Sequence, residues 1–252
     1  MPNQRPYSPL RDIALATALL SRLPVPVDAD FARSRGAKAA WAYPLAGLFV
    51  AAIAGGLGLL LLWLGLPGSL AAGIALGAQI VMTGAMHEDG LADAADGLWG
   101  GWDKERRLEI MKDSRIGTYG VIALVLSVGL RWSALTALAD HLLPAMLVAA
   151  LLSRAVMLFV MAALPNARDG GLSKSIGRPD LMTATIGAGL AFAVSLAIVG
   201  TTGLPLALVT LLAALACAAI AQTKIGGQTG DILGATQQIS AICCLAAATA
   251  LM

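Results

Sequence analysis

The sequence predicts an all-α, polytopic integral membrane protein, a helical bundle of about seven transmembrane helices plus a short N-terminal interfacial or re-entrant helix. Of its 252 residues, 58% are hydrophobic and only 13% are charged, whereas soluble globular domains carry about 25% charged residues. Apolar windows of about 20 residues, the length of a helix that crosses the hydrocarbon core, recur along the chain. The apolar/polar alternation of membrane β-strands is absent. We expect one transmembrane domain over 1–252.

The predicted spans cover seven segments: 41–64, 69–86, 117–139, 142–164, 181–200, 204–222 and 232–252. Before them, about ten apolar residues lie between Arg11 and Arg22. This stretch is too short for a span and lacks the small-residue cleavage site of a secretory signal. It therefore predicts the short N-terminal helix.

The basic residues predict the orientation of the bundle, because cytoplasmic loops collect Lys and Arg. With seven spans, fifteen of the seventeen basic residues fall on one side: Arg5, Arg11, Arg22, Arg33, Arg35, Lys38, Lys104, Arg106, Arg107, Lys112, Arg115, Arg168, Lys174, Arg178 and Lys224. The opposite loops, near 65–68, 140–141 and 200–203, contain none. The polar chemistry is therefore expected at the cytoplasmic face.

Composition also limits the partners. A net charge of +2 is too small to indicate a nucleic-acid partner. The three cysteines lie in apolar runs without metal-ligand spacing, so we expect buried thiols and no disulfide. Small-residue patterns such as 73–77 suit close helix packing in lipid, and they permit a homo-oligomer without requiring one.

The most informative motif is the acidic segment after the second predicted span. On an ideal helix Asp89, Asp93 and Asp96 fall at about 0°, 40° and −20°, so their carboxylates share one stripe. A hard divalent cation such as Mg²⁺, Mn²⁺ or Ca²⁺ relieves the repulsion in such a stripe. The alternative is a solvated helix face. We favour a metal site, and Mg²⁺ shared with substrate phosphates is typical of diphosphate chemistry.

Diphosphate chemistry also needs fixed cations, and basic residues follow the stripe. Arg106 and Arg107 are explained by topology alone. Asp113 and Arg115 lie at the start of the third predicted span, where a helix N-terminus can receive an anion. Asp113 is equally explained as an N-cap.

Two ionisable residues near or within the predicted spans are further candidates. His87 precedes the stripe on the opposite side of an ideal helix, and it is either a base or ligand or a hydrogen-bonded boundary histidine. Arg154 stands in the middle of the fourth predicted span, so it should face the bundle interior and a partner. We expect Arg154 to serve the site.

A last polar cluster joins the sixth and seventh predicted spans. Its glycines allow backbone N–H groups to approach a phosphate, and Asp231 is either a cap or another metal ligand. Lys174 and Ser175 on the preceding cytoplasmic loop complete a polar ring at one membrane face. The candidate phosphate-binding residues here are Gly226, Gly227, Gln228 and Thr229.

These motifs together resemble the cobalamin-5′-phosphate synthase family, also called adenosylcobinamide-GDP ribazoletransferases. The matching strings are Arg22–Pro26, His87–Gly97, Lys112–Thr118, Ser153–Arg154 and Gly226–Asp231. One departure is Glu88, where the family usually carries an apolar residue. The resemblance implies a Mg²⁺-dependent enzyme of the bacterial inner membrane that joins adenosylcobinamide-GDP to α-ribazole or its 5′-phosphate and releases GMP.

The resemblance also suggests roles for the candidate residues. Asp89, Asp93 and Asp96 would hold Mg²⁺ on the diphosphate. Arg115, Arg154 and Lys174 would stabilise the developing charge. The base is left open between His87 and Asp231.

Three other classes fit less well. A CDP-alcohol phosphotransferase carries Ala-Arg after its Asp-Gly, where this chain has Ala92-Asp93. A prenyltransferase needs a second Asp-x-x-x-Asp, which this chain lacks. A cation channel or transporter needs ionisable residues along a path to both faces, whereas the carboxylates here stop at one boundary.

Overall fold

The computed structural model describes residues 8–252 and confirms the predicted all-α class within them. Its α-helices in chain order are α1 (Pro9–Leu20), α2 (Ala29–Arg35), α3 (Tyr43–Trp63), α4 (Gly68–Thr83), α5 (Met86–Gly100), α6 (Lys104–Ile110), α7 (Thr118–Ala137), α8 (Leu142–Ala163), α9 (Leu172–Ile176), α10 (Leu181–Val199), α11 (Gly203–Ile225) and α12 (Gly230–Leu251). Short 3₁₀ segments cover Gly36–Ala42, Ala139–His141 and Gly200–Thr202. The basic residue Arg5 lies outside the described residues.

The long apolar helices agree with the predicted spans. Within residues 8–252, five segments are long and apolar enough to cross a membrane, or six if the bent pair α4 and α5 counts as one span. One of the five, Leu181–Ile225, has 45 residues. A straight helix of that many residues would be about 67 Å long, roughly twice the thickness of the hydrocarbon core. It consists of α10 and α11 on either side of Gly200, so it holds two of the predicted spans. Each predicted span thus coincides with a helix, and the chain is a multi-pass membrane protein.

The second predicted span ends earlier than expected. Helix α4 stops at Thr83, and α5 leaves it at an angle of 85°. The bend follows from two successive left-handed residues, Gly84 with φ 62° and Ala85 with φ 55°. The Arg22 backbone N–H donates to the Met82 carbonyl at 2.6 Å, and the Arg22 side chain lies against Gly84. The segment after α1 therefore supports the bend.

Helix α1 confirms the predicted short N-terminal helix and is fixed by a buried carboxylate. Asp12 is fully buried and accepts from the Arg35 guanidinium at 2.8 and 2.6 Å and from the Trp41 indole at 2.9 Å. This bidentate pair joins α1 to the segment before α3.

Helix α8 forms the centre of the bundle. Its apolar window is 83% buried, against 22% for α7, because α3, α10, α11 and α12 all pack on it. The outer helices instead expose large apolar side chains, among them Val125 and Leu212. Such a surface suits lipid, as the composition predicts.

Candidate active site

The predicted acidic segment forms α5, which crosses α12 at a point of very close contact. A Cβ on Gly90 would lie 3.2 Å from the Cα of Gly234, and a Cβ on Gly234 would lie 3.2 Å from the His87 carbonyl oxygen. Only glycine allows two helix backbones to approach this closely. The crossing brings Asp231, in the first turn of α12, beside the stripe on α5.

We call the side of this crossing that carries Asp89, Asp93 and Asp231 the acidic face. Asp89 is exposed, whereas Asp93 and Asp231 are half-buried. Asp93 interacts electrostatically with the carboxylates of Asp89, Asp96 and Asp231, and with the guanidinium of Arg168. Three negative groups thus surround Asp93, and Arg168 is the cation that opposes them.

Asp96 has two backbone partners that the sequence did not predict. Its carboxylate is buried and accepts from the backbone N–H of Gly117 at 2.7 Å and of Gly120 at 2.9 Å. It therefore caps the N-terminus of α7 from α5, where a negative charge also meets the positive end of the helix dipole. The sequence predicted that the start of this helix could receive an anion, and the protein's own Asp96 carboxylate occupies that position. Asp113 is therefore not the N-cap of α7.

Arg168 is a site residue that sequence reasoning missed. It lies in the loop after α8 and forms an ion pair with Asp231 at 3.2 Å, with side chains 15% and 16% exposed. Its Nη1 is buried and has no partner among residues 8–252. In the sequence Arg168 is one of many cytoplasmic basic residues, so only the fold distinguishes it.

Asp231 does not cap α12. The Thr229 hydroxyl accepts from the Ile232 N–H at 3.3 Å and donates to the Asp231 carboxylate at 3.1 Å. The cap is thus Thr229, and Asp231 stays on the acidic face.

The predicted phosphate-binding loop packs against the loop after α8. The Gln228 N–H donates to the Pro165 carbonyl at 2.8 Å, and the Ala167 N–H donates to the Gln228 carbonyl at 2.9 Å. Gly226 ends α11 with φ 71°, and a Cβ on Gly227 would collide with the Pro165 carbonyl oxygen. Both glycines are therefore explained by the chain's own packing, and a phosphate contact of this loop stays a prediction.

The side chain of Gln228 is also engaged within the protein. It is fully buried, accepts from the Ser173 hydroxyl at 2.8 Å and donates to Asn166 at 2.7 Å. The serine that joins this network is Ser173, not the predicted Ser175, whose hydroxyl donates to the Leu172 carbonyl within α9. Lys174 is exposed beside Asp169, at 3.9 Å.

Two other predicted residues pair with each other in solvent. The Arg115 guanidinium is 88% exposed and lies 2.7 Å from the Asp113 carboxylate. Hydrogen bonds from Arg115 lower the pKa of Asp113 to about 2. The carboxylate is thus ionised throughout the physiological range and pairs with Arg115 in solvent.

Behind α5 lies an interior polar cluster in which Glu88 is the anion. The Glu88 carboxylate pairs with Arg131 at 3.0 Å and accepts from the Gln238 amide at 3.1 Å. Gln237 continues the network to the Ser153 hydroxyl at 2.9 Å. Glu88, the position at which this chain departs from the family pattern, is therefore half of a buried ion pair.

His87 and Arg154 line the same interior cavity as Glu88, while Asp89, Asp93 and Asp231 do not line it. Arg154 is 2% exposed, and its one hydrogen bond, to the Ala150 carbonyl, measures 3.3 Å. The prediction that Arg154 faces the bundle interior is confirmed. Glu88 is the carboxylate that acts on the Arg154 charge, and the role of Arg154 in the reaction stays a prediction.

The donor set of the acidic face can be compared with the needs of a divalent ion. Among residues 8–252, no group of three Asp, Glu, His or Cys side chains lies close enough together to hold a metal ion. Mg²⁺ is commonly held by one or two carboxylates, with waters and substrate phosphates in its other positions. Asp89 and Asp93 fit that mode, whereas Asp96 is occupied by backbone N–H groups. Metal binding by each of the three carboxylates stays a prediction.

Comparison with known proteins agrees with the motifs. The family model described as cobalamin-5-phosphate synthase matches residues 12–249. The chain belongs to the cobalamin-5-phosphate synthase family. The match runs from α1 to α12, so the acidic face and the interior polar cluster both lie within this synthase region.

Relatives match nearly the full length of the chain. Adenosylcobinamide-GDP ribazoletransferase of Sinorhizobium medicae is 43% identical, over 94% of this chain and 95% of the relative. The same-named protein of Bradyrhizobium diazoefficiens is 46% identical, over 96% and 94%. That of Mesorhizobium japonicum is 45% identical, over 97% and 95%. No solved structure matches the chain.

Proposed function

We propose that this protein is an adenosylcobinamide-GDP ribazoletransferase. It joins adenosylcobinamide-GDP to α-ribazole, or to α-ribazole 5′-phosphate, and gives adenosylcobalamin, or its 5′-phosphate, and GMP. The observation that carries this proposal is the 41–46% identity to proteins of that name along nearly the whole chain. The reaction completes the nucleotide loop of cobalamin.

The acidic face is the proposed reaction centre. A ribose hydroxyl oxygen of the acceptor forms a bond to the phosphorus attached to cobinamide, and the bond from that phosphorus to the bridging oxygen breaks. GMP leaves with that oxygen and its electron pair. The hydroxyl proton passes to a carboxylate of the face. We assign the role of proton acceptor to Asp231 rather than His87, because the His87 side chain is buried in the bundle interior.

The substrate diphosphate and the carboxylates of the acidic face are both negatively charged. A cation must therefore lie between them when the diphosphate binds. We propose that Asp89 and Asp93 hold Mg²⁺, which would neutralise charge on the diphosphate and on the leaving phosphate. Arg168 supplies the fixed cation, since its Nη1 is free to donate to a phosphate oxygen while its Nη2 remains paired with Asp231. It takes the role that the sequence suggested for Arg115 and Lys174.

We place the protein in the bacterial inner membrane with the acidic face toward the cytoplasm. The support is the segregation of basic residues, by which Arg168 and Lys224 would lie on the cytoplasmic side. Both substrates would then be reached from the cytoplasm.

The activity is tested with the full chain in lipid vesicles. Adenosylcobinamide-GDP, α-ribazole and Mg²⁺ are added, and GMP and the corrinoid product are quantified together. The proposal predicts equal amounts of the two products, and none without the acceptor. Release of GMP without a new corrinoid would indicate a hydrolase and would overturn the proposal.

A further inference from the structure

A second cavity adjoins the acidic face and is almost wholly apolar. About 460 Å³ of space outside protein atoms, part of it open to solvent, lies between its walls. Its walls come from α1, α3, α5, α8, α9 and α12, and they include Met157, Met161, Ile176 and Leu233. We call it the apolar cavity.

The position of the apolar cavity relates it to the reaction centre. Gly230, which lines it, directly precedes Asp231 in the first turn of α12. Gly234, one turn further, also lines it and touches the α5 backbone at His87. A molecule in the cavity therefore lies within about one helical turn of the Asp231 backbone, roughly 5 Å.

The apolar cavity has one buried polar group without a partner. His87 lines it from α5 and is 3% exposed, and its Nε2 has no hydrogen-bond partner among residues 8–252. A buried ring nitrogen of this kind is costly unless a bound molecule satisfies it. His87 also lines the interior cavity that contains Glu88, and the hydroxyl-bearing residues Tyr43 and Ser173 stand among the walls of the apolar cavity. The walls thus suit a flat, mostly apolar group that carries a hydrogen-bonding atom.

We propose that the apolar cavity binds the dimethylated bicyclic base of α-ribazole, an inference that rests on the proposed function. The base is flat and apolar, and it has one free ring nitrogen, to which the His87 Nε2–H would donate. The thioethers of Met157 and Met161 suit an aromatic ring. With the base in the cavity, its attached ribose would extend toward Asp231, where the attacking hydroxyl is needed.

The proposal predicts selectivity for the methyl groups of the base. In the full chain in vesicles, kcat/KM is compared for α-ribazole and for the same nucleoside of unsubstituted benzimidazole. One methyl in an apolar pocket is worth about ten-fold. We therefore expect the unmodified protein to prefer α-ribazole by at least about ten-fold.

Filling the apolar cavity should remove that preference. Ile176→Trp on α9 and Leu19→Trp on the peripheral α1 both place a larger ring in it. Each is expected to raise the KM for α-ribazole about ten-fold or more and to abolish the preference for its methyls, leaving the KM for adenosylcobinamide-GDP within about two-fold. Leu212→Trp, on the exposed apolar surface of α11, is the matched control and should change neither value.

The outcomes separate this inference from the proposed function. If the unmodified protein releases no GMP with either nucleoside, the proposed function fails. If it turns over but shows no preference for the methyls, or if both tryptophan variants keep that preference, the cavity is a packing or lipid space. The inference is then overturned while the function stands.

Discussion

Glu88 is the buried carboxylate that balances the charge of two buried arginines in the interior of this bundle. Its carboxylate opposes Arg131 directly and Arg154 at longer range. We predict that Glu88→Gln lowers the free energy of unfolding by about 3–5 kcal/mol, because it leaves buried guanidinium groups without a countercharge. Thermal unfolding in detergent measures this.

The control for Glu88 is an ion pair in solvent. Glu109 pairs with Arg106, and both side chains are more than half exposed. Glu109→Gln should change stability by less than about 1 kcal/mol. Equal shifts in Tm for the two variants would mean that the interior pair contributes nothing.

A variant of Asp96 tests whether this carboxylate is structural, in contrast to the two that we propose hold Mg²⁺. Asp96→Asn removes the charge that meets the α7 N-terminus, so it should cost about 1 kcal/mol of stability. The Mg²⁺ concentration that gives half-maximal GMP release should stay within about two-fold of that of the unmodified protein. A ten-fold rise in that concentration would indicate that Asp96 is itself a metal ligand.

The crossing of α5 and α12 is the element-scale feature on which the acidic face depends. A side chain at Gly90 would meet the backbone of Asp231 and Gly234 at 3.1 to 3.2 Å, so Gly90→Val must separate the two helices. Since displacement by about 1 Å can cost 100-fold in rate, we expect GMP release to fall by about that factor.

Gly77→Val is the matched helical control for the crossing. Gly77 lies on α4, and a Cβ there would meet nothing within 4 Å. Its variant should retain near-normal GMP release. If both variants lost activity equally, a general intolerance of valine in these helices would explain the result, and the close crossing would not.

The elements show which parts of the fold the sequence could predict. Apolar windows identified every long helix because span length is a local property. The bend between α4 and α5 escaped prediction, since Ala85 is not a typical left-handed residue and the support comes from Arg22, far away in sequence. The partner of Asp96 was missed for the same reason, because Gly117 and Gly120 approach it only after α7 packs on α5.

The candidate site divides in the same way. Helix phase placed Asp89 and Asp93 together because the stripe depends on α5 alone. Arg168 could not be distinguished by sequence, since its pairing with Asp231 requires the loop after α8 to meet the start of α12. Lys174 and Arg115 looked equivalent to it but are exposed.

For the molecule as a whole, the account requires the acidic face to open to the cytoplasm. In a background with the three native cysteines replaced by alanine, Thr201→Cys and Ser114→Cys place single exposed thiols in loops predicted to lie on opposite sides. A membrane-impermeant maleimide should label position 201 in intact cells and position 114 only after permeabilisation. The reverse pattern would contradict the orientation.

The central claim is that the carboxylates at the α5–α12 crossing carry out ribazole transfer. The most direct measurement is GMP release by Asp93→Asn, with saturating Mg²⁺, adenosylcobinamide-GDP and α-ribazole, compared with Glu105→Gln on the exposed surface of α6. We predict a loss of at least about 100-fold for Asp93→Asn and near-normal release for the α6 variant, with both proteins unfolding at the temperature of the unmodified chain. Release by Asp93→Asn within a few-fold of normal would contradict the account.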